Sequence, residues 1–140
     1  MNNIVIACLL RNTSPNTKDS TEILIVEAED GSAYYPHAIV QPDETIDRAA
    51  ERAIFETCGL TIKTWRQIGE DTENTCLISE IEMVLPDKWR VTAGDHVAEL
   101  VWVPLYQPVP VIEEHAFIQP IMHKQTKINY WTALSVCEIK

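Results

Sequence analysis

Arg52 and Glu56 stand four residues apart in a stretch whose apolar residues recur at helical spacing, so the two can pair along one helix surface. Glu113-Glu114-His115 is the second conspicuous cluster of charge, and reads by itself as the acidic first turn of a helix, favoured there by the helix dipole. Cys8, Cys58, Cys76 and Cys137 include no CxxC pair and no Cys/His cluster, which argues against a structural zinc site. Cys58 falls at the end of a predicted helix, where the dipole raises a thiol's pKa and makes it a poor nucleophile. Trp65, Trp89, Trp102 and Trp131 each offer a face on which a base can stack, although in a domain this small tryptophan mostly packs the core.

The elements that must position these residues belong to a chain of 140 residues, the size of one domain spanning residues 1–140. A hydrophobic content of 46% excludes disorder. The net charge of −10 argues against duplex nucleic acid as partner, because neutralising phosphates needs a basic face. The apolar run from Ile4 to Leu10 is too short to span a membrane and lacks a basic leader, so a cytoplasmic, reduced setting is expected.

The clearest element is a helix between Asp43, a plausible N-cap, and Gly59, placed where a left-handed C-terminal residue is wanted. Ile46, Ala49, Ala50, Ala53, Ile54 and Thr57 share one side; Asp47, Arg48, Glu51 and Phe55 take the other, with Arg52 and Glu56 along a flank. Ile4 to Leu10 predicts a strand buried on both faces, followed by a polar loop from Arg11 to Thr21 and a strand from Glu22 to Ala28. After a turn at Glu29-Asp30-Gly31-Ser32, Tyr34-Tyr35 is a short strand, and Pro36 to Asp43 is a loop. Leu60 to Gly69, Thr75 to Leu85 and Val97 to Val103 read as further strands, the second with one wet face. Val111 to Ile118 reads as helical as far as Pro120, and Asn129 to Cys137 as a helix or an edge strand.

The passage from Ile23 to Leu60 resembles the Nudix (MutT-like) hydrolase family, whose signature is G-x5-E-x7-R-E-U-x-E-E-x-G-U with U bulky and apolar. Glu44 stands at the first Glu, Arg52 at the Arg, Ile54 at the apolar position, Glu56 at the first of the paired Glu, and Gly59 and Leu60 close the box. Ala38 replaces the first Gly, Ala53 the Glu after the Arg, and Thr57 the last Glu. Upstream, where the family often shows P-G-G-x-V-E-P-G-E, this chain has Pro36-His37-Ala38-Ile39-Val40-Gln41-Pro42-Asp43-Glu44. Downstream, Glu99-Leu100-Val101-Trp102-Val103-Pro104-Leu105 is similar to the E-x-x-W-V-P-L strand end of such domains. The resemblance covers about residues 3 to 106.

It implies an α+β fold with a curved mixed sheet sandwiched between helices, and hydrolysis of a nucleoside diphosphate linked to another group. Hard cations, Mg²⁺ or Mn²⁺, would neutralise the phosphates and acidify water, held by oxygen ligands from the box. Carried over residue by residue, Glu56 and Arg52 are the catalytic candidates, Glu56 and Glu44 the metal ligands, and His37, Ala38 and Glu44 the ligand-binding positions. Glu113 or Glu114 would supply a compensating carboxylate, with Asp95, His96 and Glu99 as similar candidates. Each has a structural alternative: Glu56 pairs with Arg52, Glu44 favours the helix start by its charge, Arg52 orders the loop, and His37 is a solvated loop histidine. With two of the three helix carboxylates gone, hydrolysis is expected to be weak or rebuilt, since losing a general base alone costs about 10²–10⁴-fold. The alternative is a catalytically silent module of the same fold that binds a nucleotide-like small molecule or a protein partner. The family also implies a possible homodimer. At positions 37 and 38, positive φ would be costly for His and Ala, so the loop there either takes a different path or is strained.

Overall fold

The computed structural model describes residues 3–12, 21–93, 96–105 and 107–122. Its strands are β1 (Ile4–Asn12), β2 (Thr21–Ala28), β3 (Ala33–Tyr34), β4 (His37–Ile39), β5 (Arg66–Glu70), β6 (Asn74–Glu80), β7 (Lys88–Ala93) and β8 (His96–Pro104). Among the described residues one long helix, α1 (Ile46–Cys58), interrupts them, and a 3₁₀ turn at Glu113–His115 precedes helical residues at 118–122. The strands form one sheet in the order β5-β6-β1-β2-β8-β7, with β3 added to β2 and β4 to β1.

β1 organises the sheet. It runs parallel to β6 from Ile4 opposite Asn74 to Leu10 opposite Glu80, and antiparallel to its other neighbours. Because β6 occupies the length of one edge, β2 and β4 divide the other: β2 takes the Leu10 end and β4 the Ile4 end. The period of two sends Val5, Ala7 and Leu9 to one face and Ile6, Cys8 and Leu10 to the other. On the first face they meet Ala49, Ala50, Ala53 and Ile54 of α1; on the second they meet Tyr35, Leu105, Ile118 and Met122. The result is the expected mixed sheet covered by helical segments on both faces. Among the described residues, no helix is long and apolar enough to cross a membrane.

Several local expectations need correction. The N-cap of α1 is Thr45, whose Oγ1 accepts the Arg48 N–H at 3.2 Å; Asp43 lies two residues earlier, in a turn closed by Glu44 N–H to Gln41 O. Gly59 does cap the other end, at φ 77°, where its N–H reaches Phe55 O. The expected loop from Pro36 to Asp43 contains β4, so His37 and Ala38 sit in extended backbone. No non-glycine residue among those described has positive φ, and the different path, not strain, accommodates the lost glycines.

Residues 60–65 are irregular: Leu60, Ile62 and Trp65 pack on the α1 side of the core before β5 begins at Arg66. The strand expected over Thr75 to Leu85 stops at Glu80 and has no wet face. It lies between β5 and β1, antiparallel to the first and parallel to the second, and is covered on both sides, and the Glu/apolar alternation at 80–85 lies beyond its end. Pro120 does not stop a helix but lies in the first turn of one, where its missing N–H would have had no partner. Asn129 to Cys137 lies outside the described residues.

Candidate functional site

The loop at 41–45 and the start of α1 are drawn together by one side chain. Arg52 donates from Nε to Glu44 Oε2 at 2.9 Å, from Nη2 to Glu44 Oε1 at 2.9 Å and to Ile39 O at 2.8 Å, and from Nη1 to Glu56 Oε1 at 3.2 Å. Helical spacing places Arg52 one turn before Glu56, while the turn at 41–44 swings Glu44 back over the helix. Glu44 also accepts the Gln41 N–H at 3.1 Å. By donating to both its oxygens, Arg52 holds the Glu44 carboxyl down at about 2, far below the usual carboxylate range. Glu44 in turn raises the already high pKa of Arg52. A forked guanidinium gripping a carboxylate at two points and a carbonyl at a third ties β4, the loop and α1 into one unit.

The two replaced box positions differ in setting. Ala53 is 1% exposed and packs in the core beneath α1; Thr57 is half-buried one turn on. Glu56 stands at the edge with its side chain 61% exposed. Ala38, opposite Val5, packs toward the α1 core. His37, opposite Ile6, faces the other side of the sheet. There its Nδ1 donates to Tyr35 O at 2.9 Å, and its ring stands edge-on to His115 at 4.9 Å. Glu113 and Glu114 are exposed on the 3₁₀ turn that carries His115, on the sheet face away from α1. The structure thus brings Glu44, Arg52 and Glu56 together, and places His37 with the Glu113–His115 turn on the opposite face.

Among the other candidates, Glu99 pairs with Lys88 and Arg90, each at 3.5 Å, while His96 is exposed at the start of β8. Trp65, Trp89 and Trp102 pack with the α1-side core, and Arg11 lies over the Trp102 ring at 4.6 Å. Burial pushes the Cys58 thiol up to about 12. Asp95 and Trp131 lie outside the described residues.

The Mg²⁺ or Mn²⁺ implied by the resemblance does not fit the box as it stands. A hard cation wants several carboxylate or carbonyl oxygens around one point. Here Ala53 and Thr57 bring no carboxylate, and both oxygens of Glu44 are taken by Arg52. Among the described residues no three His, Cys, Asp or Glu side chains converge as a ligand set.

Two features had little or no signal in the sequence. One is the buried His115, which accepts the Tyr35 N–H at Nδ1 across 80 residues of chain, at 3.0 Å. The other is an open groove of about 700 Å³ on the outer side of α1, lined by Asp43, Glu44, Arg48, Glu51, Arg52 and Phe55. Its helix residues follow the i, i+3, i+4, i+7 spacing of one face, opposite the face that carries Ala49 and Ala53.

Burial, with a smaller contribution from His37, holds the His115 pKa down at about 4 against an ordinary 6.5, partly offset by Glu114. The folded state therefore takes the proton later than the unfolded chain. Its contribution to stability is complete above pH 6.5 and is lost as pH falls toward 4, up to about 3 kcal/mol. Glu44 acts in a lower window, from about 4.5 down to about 2. Urea midpoints at pH 7 and pH 4.5 are expected to differ more in the wild type than in His115→Gln, whose amide oxygen still accepts the Tyr35 N–H. Equal drops would contradict this assignment.

No family model and no curated protein matches the sequence. Solved structures do match. The chain is similar to a Nudix hydrolase from M. smegmatis, RenU, at 19% identity and TM-score 0.67, over 91% of this chain and 87% of that one. The NUDIX domain of Shewanella oneidensis NrtR, solved in complex with ADP ribose, matches at 14% identity and TM-score 0.66, covering 90% and 88%. A mutT/nudix family protein from Listeria innocua matches at 16% identity and TM-score 0.65, covering 92% and 96%. The box spacing around Arg52, the mixed sheet between helical layers and these likenesses over nearly the whole chain agree: the chain adopts the Nudix fold of the MutT-like hydrolases.

Proposed function

We propose that the chain is a Nudix-fold module that binds a nucleotide-like small molecule and does not hydrolyse it. One observation carries this reading: the charged residues that survive in the box satisfy one another in the Arg52 clamp, and the positions beside them hold a buried Ala53 and a neutral Thr57. Glu44 and Arg52 are then positioning residues that fix the loop at 41–45 against α1. Glu56 completes the clamp at its exposed end. The ADP ribose bound by the similar NrtR domain supports a nucleotide as the ligand class.

The test joins binding to turnover in one preparation. Calorimetric titration of ADP-ribose into the full chain in EDTA is expected to show saturable binding. Phosphate-bond cleavage with Mg²⁺ or Mn²⁺ is expected to stay at the no-protein rate for ADP-ribose, nucleoside triphosphates and nucleotide sugars. Metal-dependent turnover abolished by Glu56→Gln would overturn the silent-module reading. It would point instead to a rebuilt metal site.

A further inference from the structure

The face of α1 that bears Ala49, Ala50, Ala53 and Ile54 is closed against the sheet, with each of these side chains at most 1% exposed. Open space lies on the other side, in the groove of about 700 Å³ formed with the loop at 41–45, a volume within the range of about 300–1,000 Å³ usual for small-molecule sites. Phe55 lines this groove and is 60% exposed, a large aromatic face left in water. Arg48 lines it too, and makes no salt bridge with any described residue. Asp43 and the half-buried Glu51 add carboxylate acceptors.

We propose that this groove is the ligand site, and that it takes a ribonucleoside and gains affinity from one phosphate only, so that further phosphates add none. The proposal deepens the nucleotide-binding reading and rests on it. Each part of such a ligand has a partner of matching chemistry. The base stacks on Phe55, since a nucleobase of any identity presents a π face. The ribose hydroxyls donate to the carboxylate of Glu51 or Asp43. The phosphate meets the guanidinium of Arg48, whose planar fork suits it.

The charge of the groove sets the limit of one phosphate. Arg52 is held by the carboxylates of Glu44 and Glu56, which leaves Arg48 as the one cation of the lining outside the clamp, beside the carboxylates of Asp43 and Glu51. One phosphate is matched by Arg48. Each further phosphate adds negative charge to a site and a chain that already carry an excess, the whole molecule standing at −10. Phe55 sits two residues after Ala53 and projects from the opposite side of the helix, so the site is distinct from the face on which the replaced box residues lie.

Calorimetric titration of adenosine, AMP, ADP and ATP into the full chain, in EDTA, tests this. AMP is expected to bind more tightly than adenosine, and ADP and ATP no more tightly than AMP. Phe55→Ala is expected to weaken both adenosine and AMP by about 5- to 100-fold, the range of base–aromatic stacking. Arg48→Ala is expected to weaken AMP alone, bringing it level with adenosine. Both side chains are exposed, and unchanged thermal midpoints would confirm that the variants fold. AMP binding untouched by both substitutions would overturn the groove while leaving the nucleotide-binding reading in place. Affinity that climbs from AMP to ATP would overturn the one-phosphate limit. Absence of binding by adenosine, by all three nucleotides and by ADP-ribose would overturn both readings together.

Discussion

Ala53→Glu is expected to destabilise the chain by about 3–5 kcal/mol at neutral pH, the scale of leaving an uncompensated charge in a protein interior. Ala53 is 1% exposed and packs among Val5, Ala7, Leu9, Ala49 and Ala50, so a carboxylate there has neither water nor a cation to meet. Thr57→Glu, at a half-buried position, is expected to cost less than half as much. Urea denaturation of the two variants separates the cases. Restoring the consensus residue at position 53 is therefore not a neutral repair. Near-wild-type stability of Ala53→Glu, or stability recovered by adding Mg²⁺, would mean that this face of α1 is open enough to form a metal site.

Arg52→Ala is the second large expected effect, at about 2–3 kcal/mol. It removes charge-assisted hydrogen bonds to Glu44, Glu56 and Ile39 O together and leaves Glu44, whose side chain is only 14% exposed, without its partner. Arg52→Lys should recover less than half of the loss, because a point charge cannot reproduce the two parallel bonds to Glu44. The Glu44 pKa provides a second readout. Held at about 2 by Arg52, it should rise toward the ordinary carboxylate range in Arg52→Ala, followed by NMR titration of the side-chain carboxyl. A lysine variant as stable as the wild type, or a Glu44 pKa unmoved by the loss of Arg52, would contradict the clamp.

The helix that carries these residues was legible in the sequence because two independent signals bracket it: apolar residues at helical spacing and Gly59 just past the end. It starts two residues later than a cap at Asp43 implies, since Asp43 and Thr45 are both good caps and only the turn at 41–44, tightened by Glu44, decides between them. β7 gives only a faint signal in the sequence: Trp89 and Val91 alternate with exposed Lys88, Arg90 and Thr92, and a charged edge strand has the right period but a weak apolar signal. β4 has the sequence of a loop because Pro36 and Pro42 frame it, and it owes its shape to pairing with β1. No local pattern foretells a long-range contact such as the bond from Tyr35 N–H to His115, and none foretold the groove. Arg48 and Phe55 fall on the polar side of the helix, and only the loop folding back beside them turns that side into a groove.

The most direct measurement is an EPR titration of the purified full chain with Mn²⁺, which reports free and bound ion separately. A box held as a guanidinium clamp leaves the free-ion signal rising in proportion to added Mn²⁺, with no stoichiometric phase. Loss of signal equal to one ion per chain, abolished by Glu56→Gln, would show that the box still holds metal and would contradict the silent-module account.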